Sequence, residues 1–313
     1  AQEKGAELKL GTKVLKIEQN DGSCTLLVKE NGVHRIISSP LVVGADGIRS
    51  VMAKSMGDFS GEIIGGVGAE AILKGHPPNL AQIFVGHGIA PGWFAWTIPV
   101  DSNRVRIGIG IPMRSNNVLW PKPKRCLQQL LDMYPDKFKG IDILSYSGGF
   151  IPLYQRMNTF GDRKLLVGDA ACQVKPTSGG GIYMSMVSGR MAGDMVIKSL
   201  ESKGILAADL KSYETTWKMQ FESELERGLD IRNKFLELSD DQMARIMTVF
   251  SHSILRNRIQ EFGDIDYPSK MFATLMHVSP LLKAVLNISL KLPRRWTDGI
   301  SDLKETVSKF RAV

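Results

Sequence analysis

The chain has 313 residues, 43% hydrophobic and 23% charged, and its 40 Lys and Arg against 32 Asp and Glu leave a formal charge of +8. That balance excludes a disordered or fibrous chain, and no apolar run approaches the roughly 18 residues of a membrane-spanning helix. Three cysteines, Cys24, Cys126 and Cys172, lack any C-x-x-C spacing; this argues against a disulfide framework or a zinc site and for a reducing compartment, the cytoplasm.

Residues 1–43 read as strands joined by turns, with Asn20-Asp21-Gly22 and Asn31-Gly32 as hairpin signals. A short buried strand, Leu41-Val42-Val43, then runs into Gly44-Ala45-Asp46-Gly47, and a helix can begin near Ser50. From 61 to 110 the apolar pattern has period two, clearest at Arg104-Val105-Arg106-Ile107, which predicts an antiparallel sheet. Residues 121–135 read as a short helix opened by prolines and 143–154 as a strand. From 163 a buried strand, Arg163-Lys164-Leu165-Leu166-Val167-Gly168, leads into a glycine-rich loop, and helical periodicity follows to the end. Ser239-Asp240-Asp241-Gln242 is a capping box. Residues 272–296 are apolar and finish on Lys291, Arg294, Arg295 and Trp296, a pattern that suits either a helix lying on a membrane surface or a buried helix with a basic edge. The organisation is therefore α/β or α+β, in three parts: 1–60 with 150–204, 61–149, and a helical region, 205–313.

Two loops carry chemistry. The first, around Asp46 and Gly47, leaves the carboxyl end of a strand, where an acid can accept bonds from sugar hydroxyls. An ordinary Asp-Gly turn explains the same residues. The second is more specific: a strand delivers Gly168 and Asp169, then Pro176 and the triple glycine Gly179-Gly180-Gly181 precede a helix starting at Ile182. Its first turn presents unpaired N–H groups and the positive end of the helix dipole, which suits a ring that develops negative charge. Ser185, Ser188, Gly189 and Ala192 recur at three- and four-residue spacing and let that helix lie close to a sheet. Cys172 reads as a small apolar filler, Arg49 and Lys175 as solvated charges, and His87, between two glycines, as a turn residue.

With both loops in view, the chain resembles the flavoprotein superfamily of aromatic hydroxylases, halogenases and geranylgeranyl reductases, whose second and third FAD motifs look like GADGIRS and GDAACQVKPTSGGG. The stretch PTSGGGIYMSMVSGR is most similar to the geranylgeranyl reductases. So is GWFAWTIPVDSNRVRIGIG, where Trp96, Pro99, Gly108 and Gly110 match and Phe94 and Ile98 are conservative departures. Strand alternation puts Phe94, Trp96 and Ile98 on one face as an apolar wall. Trp93, which the related halogenase motif would use, is one residue out of register and is expected on the opposite face.

The resemblance implies part of a Rossmann-like FAD/NAD(P)-binding domain of the aromatic-hydroxylase type, an antiparallel substrate sheet and a helical C-terminal region. FAD is the implied cofactor, held by Val14, Asp46, Gly47, Gly168, Asp169, Pro176, Gly179, Gly180, Gly181 and Ile182. Val14 is taken to lie near the end of an early strand, its backbone against the adenine. The implied reaction is reduction of isoprenoid double bonds in an archaeal-type membrane lipid precursor, with NAD(P)H or reduced ferredoxin as electron donor and Phe94, Trp96, Ile98, Pro99 and Gly108 against the substrate. No residue is assigned as catalytic, and neither a metal nor a nucleic acid is expected. Peripheral membrane contact through the C-terminal helices is an expectation of the same kind. An aromatic monooxygenase or halogenase, or a fragment without activity, stays open as an alternative. The chain contains no G-x-G-x-x-G, the fingerprint of the first βα turn of such domains, so Ala1 is expected to fall about 100 residues into a parent enzyme.

Overall fold

The computed structural model describes residues 2–20, 22–57, 61–113, 122–153, 158–251 and 253–269. The basic, apolar 272–296 stretch lies outside the described residues. In chain order the elements are β1 (Thr12–Asn20), β2 (Ser23–Glu30), β3 (Val33–Ser39), β4 (Val42–Gly44), α1 (Val51–Lys54), β5 (Glu62–Ile72), β6 (Gln82–Val85), β7 (Phe94–Pro99) and β8 (Arg104–Pro112). They continue as α2 (Pro123–Met133), β9 (Asp142–Leu153), β10 (Phe160–Gly161), β11 (Lys164–Leu166), α3 (Ile182–Ser202), α4 (Ala207–Leu236), α5 (Asp240–Ser251) and α6 (Ser253–Phe262). The chain folds as two compact units, 1–63 with 151–225, and 64–150 with 226–313.

In the first unit, β1, β2 and β3 form an antiparallel meander. Asn31 at φ +50° and Gly32 at φ +91° close the second hairpin with both central residues in the left-handed region, as a two-residue primed turn requires. A second sheet has the order β10-β11-β4, with β11 antiparallel to β10 and parallel to β4. Between these sheets and α1 lies a small core of Ile17, Met52, Ala53, Leu166, Ala170 and Ala171. Helix α4 buries Leu210, Tyr213, Trp217, Phe221 and Leu225, three or four residues apart, so they form one stripe down the helix.

The second unit is built on a five-stranded sheet of order β6-β7-β8-β5-β9, in which β6–β7, β7–β8 and β5–β8 pair antiparallel. Alternation sends Val105, Ile107, Ile109 and Ile111 of β8 to one face, where they pack with Cys126, Leu127 and Leu130 of α2 and with Phe138. Truncating one such buried residue to Ala typically costs 2–5 kcal/mol, so this face is where the sheet acquires its stability. Pro123 opens α2 at its first turn, where a missing N–H leaves no intrahelical bond unmade.

Candidate functional site

The parallel pairing of β11 with β4 governs the geometry. Leu166 lies opposite Gly44, and the Val167 N–H donates to the Gly44 carbonyl at 3.0 Å. Two loops about 120 residues apart in sequence therefore leave the same sheet edge by edge from their carboxyl ends, the position where α/β sheets hold ligands. Gly44 makes this possible: a Cβ there would come within 2.6 Å of Met52 Cβ and 2.8 Å of Leu166 Cδ2.

Beyond β11 the chain makes a 3₁₀ turn, Gly168–Ala171. Gly168 sits at φ +63°, and a Cβ there would lie 2.9 Å from Ser185 Oγ, so backbone conformation and space both require glycine. Asp169 is the next residue, and burial pushes its carboxyl above the ordinary carboxylate range. Its Oδ1 lies 3.2 Å from where a Gly181 Cβ would stand. The turn ends on Cys172, which is buried and at φ +57°. Pro176 is buried, Gly179 is at φ +70°, and the 175–180 loop is closed by Gly179 N–H to Lys175 O at 2.9 Å. Lys175 itself is only 6% exposed. It is not the solvated charge its sequence context suggests, because Gly180, which has no Cβ, lets the Lys175 stem lie against its backbone. Arg49 is exposed.

Helix α3 then begins with Gly181 as N-cap and no side chain capping its first N–H groups. Ile182 is 81% and Met186 71% exposed beside them. A half-buried carboxylate, uncapped helix N–H groups and bare apolar side chains thus meet within one loop. This combination fits a group with a hydroxyl to donate and a flat ring to lay down. Along α3, Ser188 and Ala192 face inward with Met184, Met195 and Ser199. Gly189 does not share that close packing, since a Cβ on it would meet nothing within 4 Å.

The residues that hold this loop in shape have no signature in the sequence. Gln173 is fully buried; its Oε1 accepts from the Gly168 N–H at 2.8 Å and its Nε2 donates to the Tyr213 hydroxyl at 3.2 Å. Tyr213 in turn donates to the Leu166 carbonyl at 2.6 Å, and burial raises its hydroxyl pKa. Nearby, Trp217 Nε1 donates to Thr159 Oγ1 at 2.8 Å, and Glu214 accepts from both Thr159 N–H (2.7 Å) and Oγ1 (2.9 Å). Read from periodicity alone, Tyr213 and Trp217 are core-stripe residues of α4, and only the three-dimensional pairing reveals their polar ends.

On the first loop Gly47 is at φ +71° and Asp46 is exposed. The Asp46 carboxylate accepts the Val51 N–H at 2.8 Å, and Ser50 Oγ accepts the Ala53 N–H at 2.7 Å, so both side chains start α1. Val14 lies near the start of β1, not its end, where the register with β2 slips between Val14 and Lys16. It is half-buried against the core that carries Met52 and Leu166. The sequence pattern of this strand does not show the bulge, because a bulge leaves hydrophobic alternation intact on both sides.

In the second unit Phe94, Trp96 and Ile98 do share one face of β7, with Ala95 and Thr97 buried on the other. The Phe94 and Trp96 rings are 5.8 Å apart, and Ile98 is 44% exposed. A Cβ at Gly108 would overlap the Trp96 indole, so the ring lies directly on the strand beside it. Trp93 is on this same face, against the expectation from register: it covers Gly110 and stacks on Phe94 at 5.2 Å. Strand pairing begins at Phe94, and Trp93 belongs to the preceding turn, its N–H bonded to Ala90 O at 3.1 Å, so alternation does not govern it. The Arg232 guanidinium lies 5.4 Å from the Trp93 ring, and its Nη2 donates to Gly92 O at 3.1 Å. Pro99 lines a cavity with Thr97. His87 is a turn residue whose Nε2 lies 2.9 Å from the Leu238 carbonyl.

Residues 1–216 match the FAD-binding domain family, and the chain belongs to it. Among its relatives, an uncharacterized protein of Methanocaldococcus jannaschii is 30% identical over 256 residues, covering 80% of this chain and 64% of that protein. A digeranylgeranylglycerophospholipid reductase of Methanothrix thermoacetophila is 28% identical over 257 residues, 80% of this chain and 63% of the relative. The chain thus spans less than two thirds of either relative's length. Among solved structures, a geranylgeranyl bacteriochlorophyll reductase-like protein from Thermoplasma acidophilum superposes with a TM-score of 0.73 at 22% identity, covering 84% of this chain and 66% of that one. The mixed fold with antiparallel sheets is therefore that of FAD-binding proteins. No helix among the described residues is long and apolar enough to cross a membrane.

Proposed function

We propose that this chain belongs to a flavin-dependent reductase that saturates carbon–carbon double bonds of geranylgeranyl chains in membrane lipid precursors. The observation that carries the reading is that Asp169, in the loop leading to α3, and the Asp46–Gly47 loop follow the carboxyl ends of two paired parallel strands, β11 and β4. The reductase named among the relatives supplies the substrate class. FAD held there would supply, once reduced by NAD(P)H or ferredoxin, hydride for one alkene carbon, and a proton drawn from solvent would complete the neighbouring carbon.

The chain's own residues then have separable tasks. Asp169 accepts a bond from a hydroxyl of the cofactor's sugar-alcohol chain, which offsets the partial desolvation of that carboxylate. The N–H groups at Gly181 and Ile182 stabilise negative charge on the ring edge laid against them. Gly47 and the α1 terminus serve the phosphate region. Phe94, Trp96 and Ile98 present a smooth apolar face to an isoprenoid chain, with Gly108 leaving room for the indole to lie flat.

Mass spectrometry of geranylgeranyl lipids incubated with the FAD-loaded, reduced protein tests this. Products gaining pairs of hydrogens are the expected result. Products gaining oxygen or halogen, or no product from a protein shown to hold FAD, would overturn it.

A further inference from the structure

The second unit contains a cavity of about 580 Å³ at one end of its sheet, lined by residues of the turn after β5, the start of β6, the end of β7 and the turn after α2. Its volume is in the range of small-molecule sites. None of its lining residues belongs to the two flavin loops. Its floor is apolar and deeply buried: Leu73, Val105 and Phe138 are 4%, 1% and 4% exposed.

Its mouth is different. Lys74, Lys137 and Lys139 line it with a single carboxylate, Asp136, which leaves two net positive charges there with His76 neutral. None of these three lysines pairs with a carboxylate among the described residues. Lys137 Nζ is held instead by the neutral Gln82 Oε1 at 3.2 Å and stands 5.9 Å from the Phe84 ring centroid. Three cations against one carboxylate at a concave opening suit an anion, and two net charges suit a dianion better than a carboxylate. The fifth group is His76. Its Nδ1 lies 3.2 Å from the Pro77 carbonyl, and its Nε2 is buried without a hydrogen-bond partner among the described residues. With Nδ1 donating to Pro77, Nε2 is left to accept from a ligand hydroxyl, or to donate to an anion once the ring is protonated.

We propose that this cavity binds an organic phosphate, its dianion among Lys74, Lys137 and Lys139 and its carbon body over Leu73, Val105 and Phe138. The phosphate can be a free ester or the headgroup of a lipid. The same chemistry serves both, and experiment separates them.

The full chain is titrated calorimetrically with glycerol phosphate, and in parallel sedimented with phosphatidylcholine vesicles containing phosphatidic acid. The variant Lys74→Gln/Lys139→Gln removes two charges whose side chains make no hydrogen bond or ion pair among the described residues. Lys29→Gln/Lys211→Gln removes the same charge elsewhere as a control. The expected result is binding to the unaltered chain that falls at least about tenfold in the first variant and is unchanged in the control, with identical circular dichroism and melting temperature. Loss of the glycerol phosphate response identifies a free ester, and loss of vesicle binding a lipid headgroup; either supports the site. Equal weakening in both variants, no weakening in either, or no binding of either probe to the unaltered chain overturns it.

Discussion

Asp169 separates stability from function within one side chain. Burial raises its pKa, so in the pH range between the unfolded and folded values the folded chain binds more protons, and stability falls as pH rises through that window. At neutral pH the half-buried charge is a cost to the protein without cofactor. Asp169→Asn should therefore leave the melting temperature of the FAD-free protein unchanged or higher, and flatten that decline between the two pKa values. FAD retention should fall roughly ten- to a hundredfold, the worth of a hydrogen bond to a charged group, about 1.5–3 kcal/mol. Equilibrium dialysis against FAD and thermal melts across pH measure the two effects, and a variant that keeps FAD with full affinity removes Asp169 from the site. Gly168 gives a contrasting case. Gly168→Ala meets both the left-handed backbone penalty, about 1–2 kcal/mol, and Ser185 Oγ at 2.9 Å, so it should lower stability and FAD retention together. Trp96→Ala has a third signature: lipid turnover falls while FAD retention holds, since the indole lies on Gly108 of the second unit. The reverse order of effects in kinetics and dialysis removes Trp96 from the substrate wall.

Elements show which features were legible in the sequence. The Asn31-Gly32 hairpin, the Pro-opened α2, the helix starting at Ser50 and the capping box all follow from neighbours within four residues, where backbone chemistry decides. The box closes reciprocally: Gln242 N–H reaches Ser239 Oγ at 3.2 Å, and Ser239 N–H reaches Gln242 Oε1 at 2.8 Å. The parallel contact of β11 with β4, the Gln173–Tyr213 clamp and the tie from Asp240 to the 86–88 turn join residues far apart in sequence, and no local rule encodes them. Asp240, in the first turn of α5, accepts the N–H groups of His87 at 2.6 Å and Gly88 at 3.1 Å, and the His87 bond leads in lowering its pKa. A lowered carboxylate contributes stability that is complete above its unfolded pKa and lost as pH falls through the folded one. Asp240→Asn should accordingly weaken the acid limb of the melting profile and cost about 1 kcal/mol at neutral pH, the usual net worth of a hydrogen bond. An unchanged acid limb would mean that this bond does not outlast solvent competition.

At the scale of the whole molecule, two compact units with separate cores give cofactor binding a testable address. Every residue proposed to hold FAD, from Val14 and Asp46 to Ile182, lies in the unit formed by 1–63 and 151–225, whereas the aromatic face lies in the other. Residues 170–176 of the second loop are buried and tied by the Gln173 clamp, whereas Asp46 of the first loop and Ile182 at the start of α3 are exposed. Exposed segments open at low free energy and gain most from a ligand. FAD at a hundred times its dissociation constant adds about 2.7 kcal/mol to the state that binds it. Hydrogen exchange with and without FAD should therefore slow most in 41–54 and 164–190, with far smaller changes in the β5–β8 core around Ile107 and Ile109, which is already closed to solvent. Tyr213→Phe removes the hydroxyl that links Gln173 to the Leu166 carbonyl, at about 1–2 kcal/mol. It should raise exchange in 164–175 before FAD is added and weaken FAD retention without altering exchange in β5–β8. Protection spread evenly over both units, or loops as slow in the variant as in the original chain, would show that the site is not preorganised by this clamp.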